Sequence, residues 1–140
     1  MPEPFAAKPF ATKPLGAGPD AIAPDGTAVR LLLSLSSGSM AHFELPAGGV
    51  SHAVTHRTVE EIWYVLSGRG ALWRRSDAGE RIEALAPGVA VTIPLRTAFQ
   101  FRADDEAPLA FLAITMPPWP GTDEAVAVAG PWTPTVPAGG

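Results

Sequence analysis

The feature that most constrains this chain is the rhythm of its apolar runs, each of which is cut by turn chemistry before a helix of ordinary length could form. Ser37-Gly38, Pro46-Ala47-Gly48-Gly49, Ser67-Gly68, Asp77-Ala78-Gly79, Pro87-Gly88 and the acidic tip Asp104-Asp105-Glu106 each separate two such runs. The runs between them are rich in Val, Ile, Leu, Phe and Trp and predict strands over 28–35, 40–45, 50–56, 61–66, 70–75, 80–85, 89–93, 98–102 and 109–115. No segment sustains a 3.6-residue apolar period, so a helix-bearing α/β fold has nothing to be built from. The prediction is an all-β domain, closed into a barrel or a double-sheet jelly roll, because strands this short then leave few open edges.

The prolines set the boundaries of that domain. Six lie between Pro2 and Pro24, six between Pro117 and Pro137, and only four in between. Proline fixes φ and cannot donate to a ladder, so both ends are expected to run as extended, non-sheet arms over the central body. This divides the chain into an N-terminal arm (1–27), a barrel (28–116) and a C-terminal arm (117–140). The near-repeat FAAKP then FATKP at 5–14 is assigned no function. Trp119 and Trp132 lie among prolines of the C-terminal arm, placed either to staple it to its own barrel or to bury against a second subunit.

With a net charge of −4 and no cysteine, the chain has no basic stripe for nucleic acid or anionic membrane and no thiolate chemistry. His, Asp and Glu are left as the available metal donors. The stretch AVRLLLSLSS is interrupted by Arg30 and falls far short of the roughly 20 residues that span a bilayer. The N-terminus lacks the continuous apolar segment of a secretion signal. A soluble cytoplasmic protein that binds a small molecule is the expectation.

The stretch GGVSHAVTHRTVEEIWYVLSGRG carries a spaced pattern. Gly48, then His56, then Glu61 after four residues, then Gly68 after six more, resembles the first motif of the cupin superfamily, in which a His-x-His pair precedes the Glu. Val54 occupies the slot of the first His. The second motif of the family is similar to PGVAVTIPLRTAFQFRA, where Gly88 and Pro94 match. There Arg96 replaces a Gly, Phe99 the third His and Ala103 an Asn. The resemblance covers about 48–103 closely and implies a double-stranded β-helix, the jelly-roll cupin barrel, in a small single-domain member.

The resemblance also implies a site at the barrel mouth. His56 and Glu61 would be ligands of a divalent metal (Fe, Mn, Ni or Zn), with the same two residues as catalytic candidates in an isomerase, epimerase, lyase or dioxygenase. His52 is a weaker third ligand candidate. Regular strand geometry puts its backbone roughly 13 Å from that of His56, and only a bulge would bring it closer. Val54, Trp63, Val65, Phe99 and Phe101 are the expected pocket walls. Val54 and Phe99 leave the metal set short, so the rival reading is a metal-free binding module in which Val54, Trp63 and Phe99 enclose an apolar ligand and His56 and Glu61 anchor it. Among small cupins chain exchange is common, which implies a homodimer. Strand parity turns Glu60 away from Glu61, allows at most one of Arg74 and Arg75 to face inward, and puts Gln100 and Arg102 outside. His42 and Glu44 are expected on an exposed face.

Overall fold

A computed structural model describes residues 7–121 and 123–139. The first residues of the N-terminal arm, the start of the FAAKP repeat and the end of the C-terminal arm lie outside the described residues. The strands in chain order are β1 (Ala21–Ile22), β2 (Ala28–Leu35), β3 (Gly38–Leu45), β4 (Val54–His56), β5 (Glu60–Ser67), β6 (Gly70–Ser76), β7 (Gly79–Leu85), β8 (Ala90–Ile93), β9 (Ala98–Ala103), β10 (Leu109–Met116) and β11 (Ala125–Ala127). Among the described residues there is no helix. Two antiparallel sheets, ordered β1-β2-β3-β10-β5-β8 and β11-β4-β9-β6-β7, face each other across the core.

Period-2 alternation decides which side chains fill that core. On β5, Glu61, Trp63 and Val65 point inward and are buried, while Glu60, Ile62 and Tyr64 point outward and are exposed. From the opposite sheet Phe99, Phe101 and Leu72 meet them, and β10 adds Phe111 and Ala113. Trp63 stacks on Phe111 at 4.1 Å between centroids and meets Phe99 and Phe101 edge to face. This aromatic block fills the bore.

The arms correct the expectation that they lie outside the sheets. Ala21–Ile22 pairs with β2, and Ala125–Ala127 pairs with β4. Proline excludes only its own N–H from a ladder, and neither two-to-three-residue stretch contains one. Beyond β11 the C-terminal arm is stitched to its own barrel. Val128 N–H donates to Ala53 O and Thr135 N–H to Val50 O. The Gln100 amide donates to Ser51 O and Trp132 O and accepts from Trp132 N–H. Trp132 packs against Ala53, Trp73 and Ala98 and lies under the Arg102 guanidinium, 4.4 Å from the ring centroid. Of the two readings of Trp132, the staple to its own barrel is the one found.

Gln100 and Arg102 do face away from the bore, yet Gln100 is fully buried because this arm covers it. His42 is also buried, against the expectation of an exposed face, since its cross-strand neighbours Arg30 and Leu112 flank it on both sides. Arg74 is half-buried and donates to Thr92 O at 2.8 Å, while Arg75 is exposed.

Candidate functional site

Strands β4 and β5 are joined by residues 57–59, so the inward residues that flank this turn, His56 and Glu61, come together at one end of the barrel. The turn is tied down by a buried residue from the C-terminal arm. The Glu124 carboxylate accepts from Thr58 N–H at 2.6 Å, Thr58 Oγ1 at 2.6 Å and Val59 N–H at 3.0 Å. Arg57 N–H donates to Glu124 O, and Ala125 pairs with His56.

His56 Nδ1 lies 3.7 Å from Glu61 Oε2, with both side chains about 95% buried. The other carboxylate oxygen, Glu61 Oε1, accepts from the Trp63 indole N–H at 2.7 Å. Two rings meet the imidazole at steep angles: Phe99 at 5.2 Å and 80°, and Trp119 at 5.1 Å and 76°. Trp119 reaches this position from the segment after β10, and its N–H donates to Ser39 Oγ at 3.2 Å. Ser39 Oγ also bonds Thr115 Oγ1, and Thr115 stands beside Glu61 in the ladder. Ser39, Thr115 and Glu61 therefore form a polar row across three strands, above the aromatic block.

Burial sets the electrostatics of the pair. Desolvation lowers the pKa of His56 to about 4, against a smaller opposing pull from the Glu124 carboxylate. Desolvation raises Glu61 to about 7, opposed by the Trp63 hydrogen bond and assisted by the nearby carboxyls of Asp25 and Glu124. The 3.7 Å separation is within ion-pair distance, but the same burial disfavours the charged form of both groups near neutral pH. The pair is thus not a salt bridge at that pH. Nδ1 of His56 is buried and has no hydrogen-bond partner.

The structure brings His56, Glu61, Trp63 and Phe99 into direct contact. Val54 shares the inward face of β4 and pairs with Phe99 in the ladder. Val65 and Phe101 lie within the packed core. These side chains pack on one another rather than around an open cavity, and clefts of about 380 and 180 Å³ lie elsewhere, beside Arg74 and Thr92 and beside Arg69 and Asp104. Trp63, Phe99, Phe101 and Phe111 take up the volume between the sheets next to Val54. His52 does not join the pair. It is drawn to the arms, with Nε2 2.7 Å from Val136 O and its backbone N–H on Asp25 O. Sequence reasoning missed the roles of Glu124, Ser39 and Thr115. It noted Trp119 but could not aim it.

A metal ion, which the cupin resemblance implies, does not fit these residues. Among the described residues no three His, Asp or Glu side chains gather where they could hold one ion. Glu61 Oε1 is committed to the Trp63 N–H, and Phe99 takes the volume of a third donor. Catalytic metal sites generally use three protein donors, so His56 and Glu61 alone make a poor one.

Comparison with known proteins agrees with the fold. A family model described as "Cupin domain" matches residues 41–115. A protein of Bacillus halodurans is 22% identical with a TM-score of 0.60, over 71% of this chain and 74% of that one. A predicted oxalate decarboxylase of Thermotoga maritima is 19% identical with a TM-score of 0.58, over 71% of this chain and 91% of that one. A variant of PAC13 from Streptomyces, solved with uridine, is 12% identical with a TM-score of 0.65, over 85% and 92%. No curated protein matches.

Proposed function

The chain belongs to the cupin family, and from that premise we propose that it binds a small organic molecule at the Trp119 end of its barrel, through His56 and Glu61 and without a metal ion. The observation that carries this reading is the buried, unpartnered His56 Nδ1 facing Glu61 Oε2 at 3.7 Å. Leaving a buried polar atom unpaired costs about 1–3 kcal/mol, and a functional role is one explanation for keeping one; unlike His42 Nδ1 and Thr97 Oγ1, which are also unpaired, His56 Nδ1 faces a carboxylate. The aromatic block supplies a rigid floor, and the polar row of Ser39, Thr115 and Glu61 supplies the orienting groups. The Streptomyces neighbour that holds uridine supports small-molecule binding in this fold.

Native mass spectrometry of freshly purified protein, followed by thermal-shift screening of neutral metabolites, tests this. A bound molecule or a stabilising one, with the effect lost in His56→Ala, is expected; no shift from any compound would contradict it.

The position of Glu61 favours a second reading, acid–base catalysis. A carboxyl whose pKa is near 7 is suited to exchange a proton with a bound substrate, as an isomerase, epimerase or lyase requires. This reading predicts that turnover disappears in Glu61→Gln while ligand binding persists. A homodimer belongs to the same proposal. Its support is the outer face of the six-stranded sheet, where Met40, Ile62, Tyr64 and Leu66 are exposed. Light scattering across a hundredfold range of concentration would report it, and a monomer throughout would refute it.

A further inference from the structure

Resting on the binding reading above, we propose that the site takes a neutral, planar ring bearing a hydroxyl group, and that Trp119 occupies the place of that ring in the free protein. The imidazole of His56 is held between two rings that meet it at nearly the same distance and angle. Phe99 is part of the core at 1% exposure, whereas Trp119 is 37% exposed. Residues 117–121 contain three prolines, which leaves few N–H groups to hold them. Among the described residues, the hydrogen bonds of this segment are Trp119 N–H to Ser39 Oγ and Glu124 N–H to Gly121 O at 3.3 Å. Trp119 is therefore the removable wall and Phe99 the fixed one.

The polar side of the ligand follows from the pair. A hydroxyl oxygen about 2.9 Å from both His56 Nδ1 and Glu61 Oε2 lies within ordinary hydrogen-bond reach of each, since those atoms are 3.7 Å apart. It donates to one and accepts from the other, whichever of the two carries the proton. Its charge follows from the surroundings. The carboxyls of Asp25 and Glu124 act on Glu61 as like charges, and Glu124 ties down the turn next to the pair, so an anion is disfavoured. Aromatic walls meeting at steep angles favour a flat ring over an aliphatic body.

Calorimetric titration of Trp119→Gly and of the wild type with phenol, toluene and cyclohexanol tests the proposal. Trp119→Gly should bind phenol at least tenfold more tightly than toluene or cyclohexanol, and at least tenfold more tightly than the wild type does. Adding Glu61→Leu to Trp119→Gly should remove the preference for phenol over toluene. Equal binding of all three probes by Trp119→Gly would overturn it. Should Trp119→Gly not fold, the wild type decides: saturable movement of the Trp119 indole N–H resonance with phenol but not toluene supports the proposal, and no movement with either refutes it. If phenol fails while another neutral metabolite stabilises the wild type through His56, the ring is wrong and the binding reading stands. If no compound binds either protein, both fall.

Discussion

Removing the carboxyl of Glu61 should unmask a pH dependence of stability that the wild type conceals. The folded protein holds a proton on Glu61 up to pH about 7, whereas the unfolded chain releases it near 4.5. Between those values the unfolded state binds fewer protons, so this group makes stability fall as pH rises. His56 acts in the opposite sense. Its folded pKa is about 4 and its ordinary value 6.5, so the unfolded state takes up the extra proton, and stability rises with pH across that window. Each pH unit of such a window is worth about 1.4 kcal/mol, giving each residue a total effect of about 3 kcal/mol of opposite sign. From pH 4.5 to 6.5 the two slopes cancel. Urea unfolding at half-unit steps from pH 4 to 7.5 measures this, with the variant-minus-wild-type difference removing every other titrating group. The difference for Glu61→Gln should rise by about 3 kcal/mol from pH 4.5 to 7, and that for His56→Asn should fall by a similar amount from pH 4 to 6.5. Differences that stay constant within about 0.5 kcal/mol across the range would refute the claim that burial shifts both groups, in opposite directions.

Arg96 has a φ of 65° in a slot where the family motif has Gly, so Arg96→Gly should relieve left-handed strain and raise stability by about 1 kcal/mol, read as a higher thermal midpoint. Gly68 has a φ of +78°, and a Cβ there would fall 2.0 Å from Pro108 O; Gly68→Ala should cost more than about 2 kcal/mol by urea unfolding. Glu124→Ala strips three hydrogen bonds from the turn that sets the spacing of His56 and Glu61. It should destabilise by about 2–4 kcal/mol and increase amide exchange at Thr58 and Val59.

The strands were legible because their signal is local. The alternation on β5 and the Gly-bearing turns at 68, 79 and 88 specify face and register without reference to the rest of the chain. His56 and Glu61 were legible for a related reason: a short turn between two strands places their inward residues side by side. What could not be read depends on long-range docking. Glu124 lies 66 residues from Thr58 in sequence, and nothing near position 124 announces its partner. Trp119 and Trp132 looked alike as aromatics among prolines, yet one covers the imidazole and the other packs on the outer face beside Gln100. Parity tells which residues face inward, as it did for Val54, Trp63, Val65, Phe99 and Phe101, but how tightly they pack, with Trp63 and Phe111 face to face, depends on long-range partners that no local pattern names.

The central claim is that the barrel end is a buried His–Glu pair that works without a metal ion. Its most direct test is metal analysis of protein purified without chelator, before and after incubation with Fe, Mn, Ni or Zn. The account predicts less than about a tenth of an equivalent bound and no thermal shift, as expected for a site short of the usual three donors. Close to one equivalent, lost in His56→Ala, would contradict it.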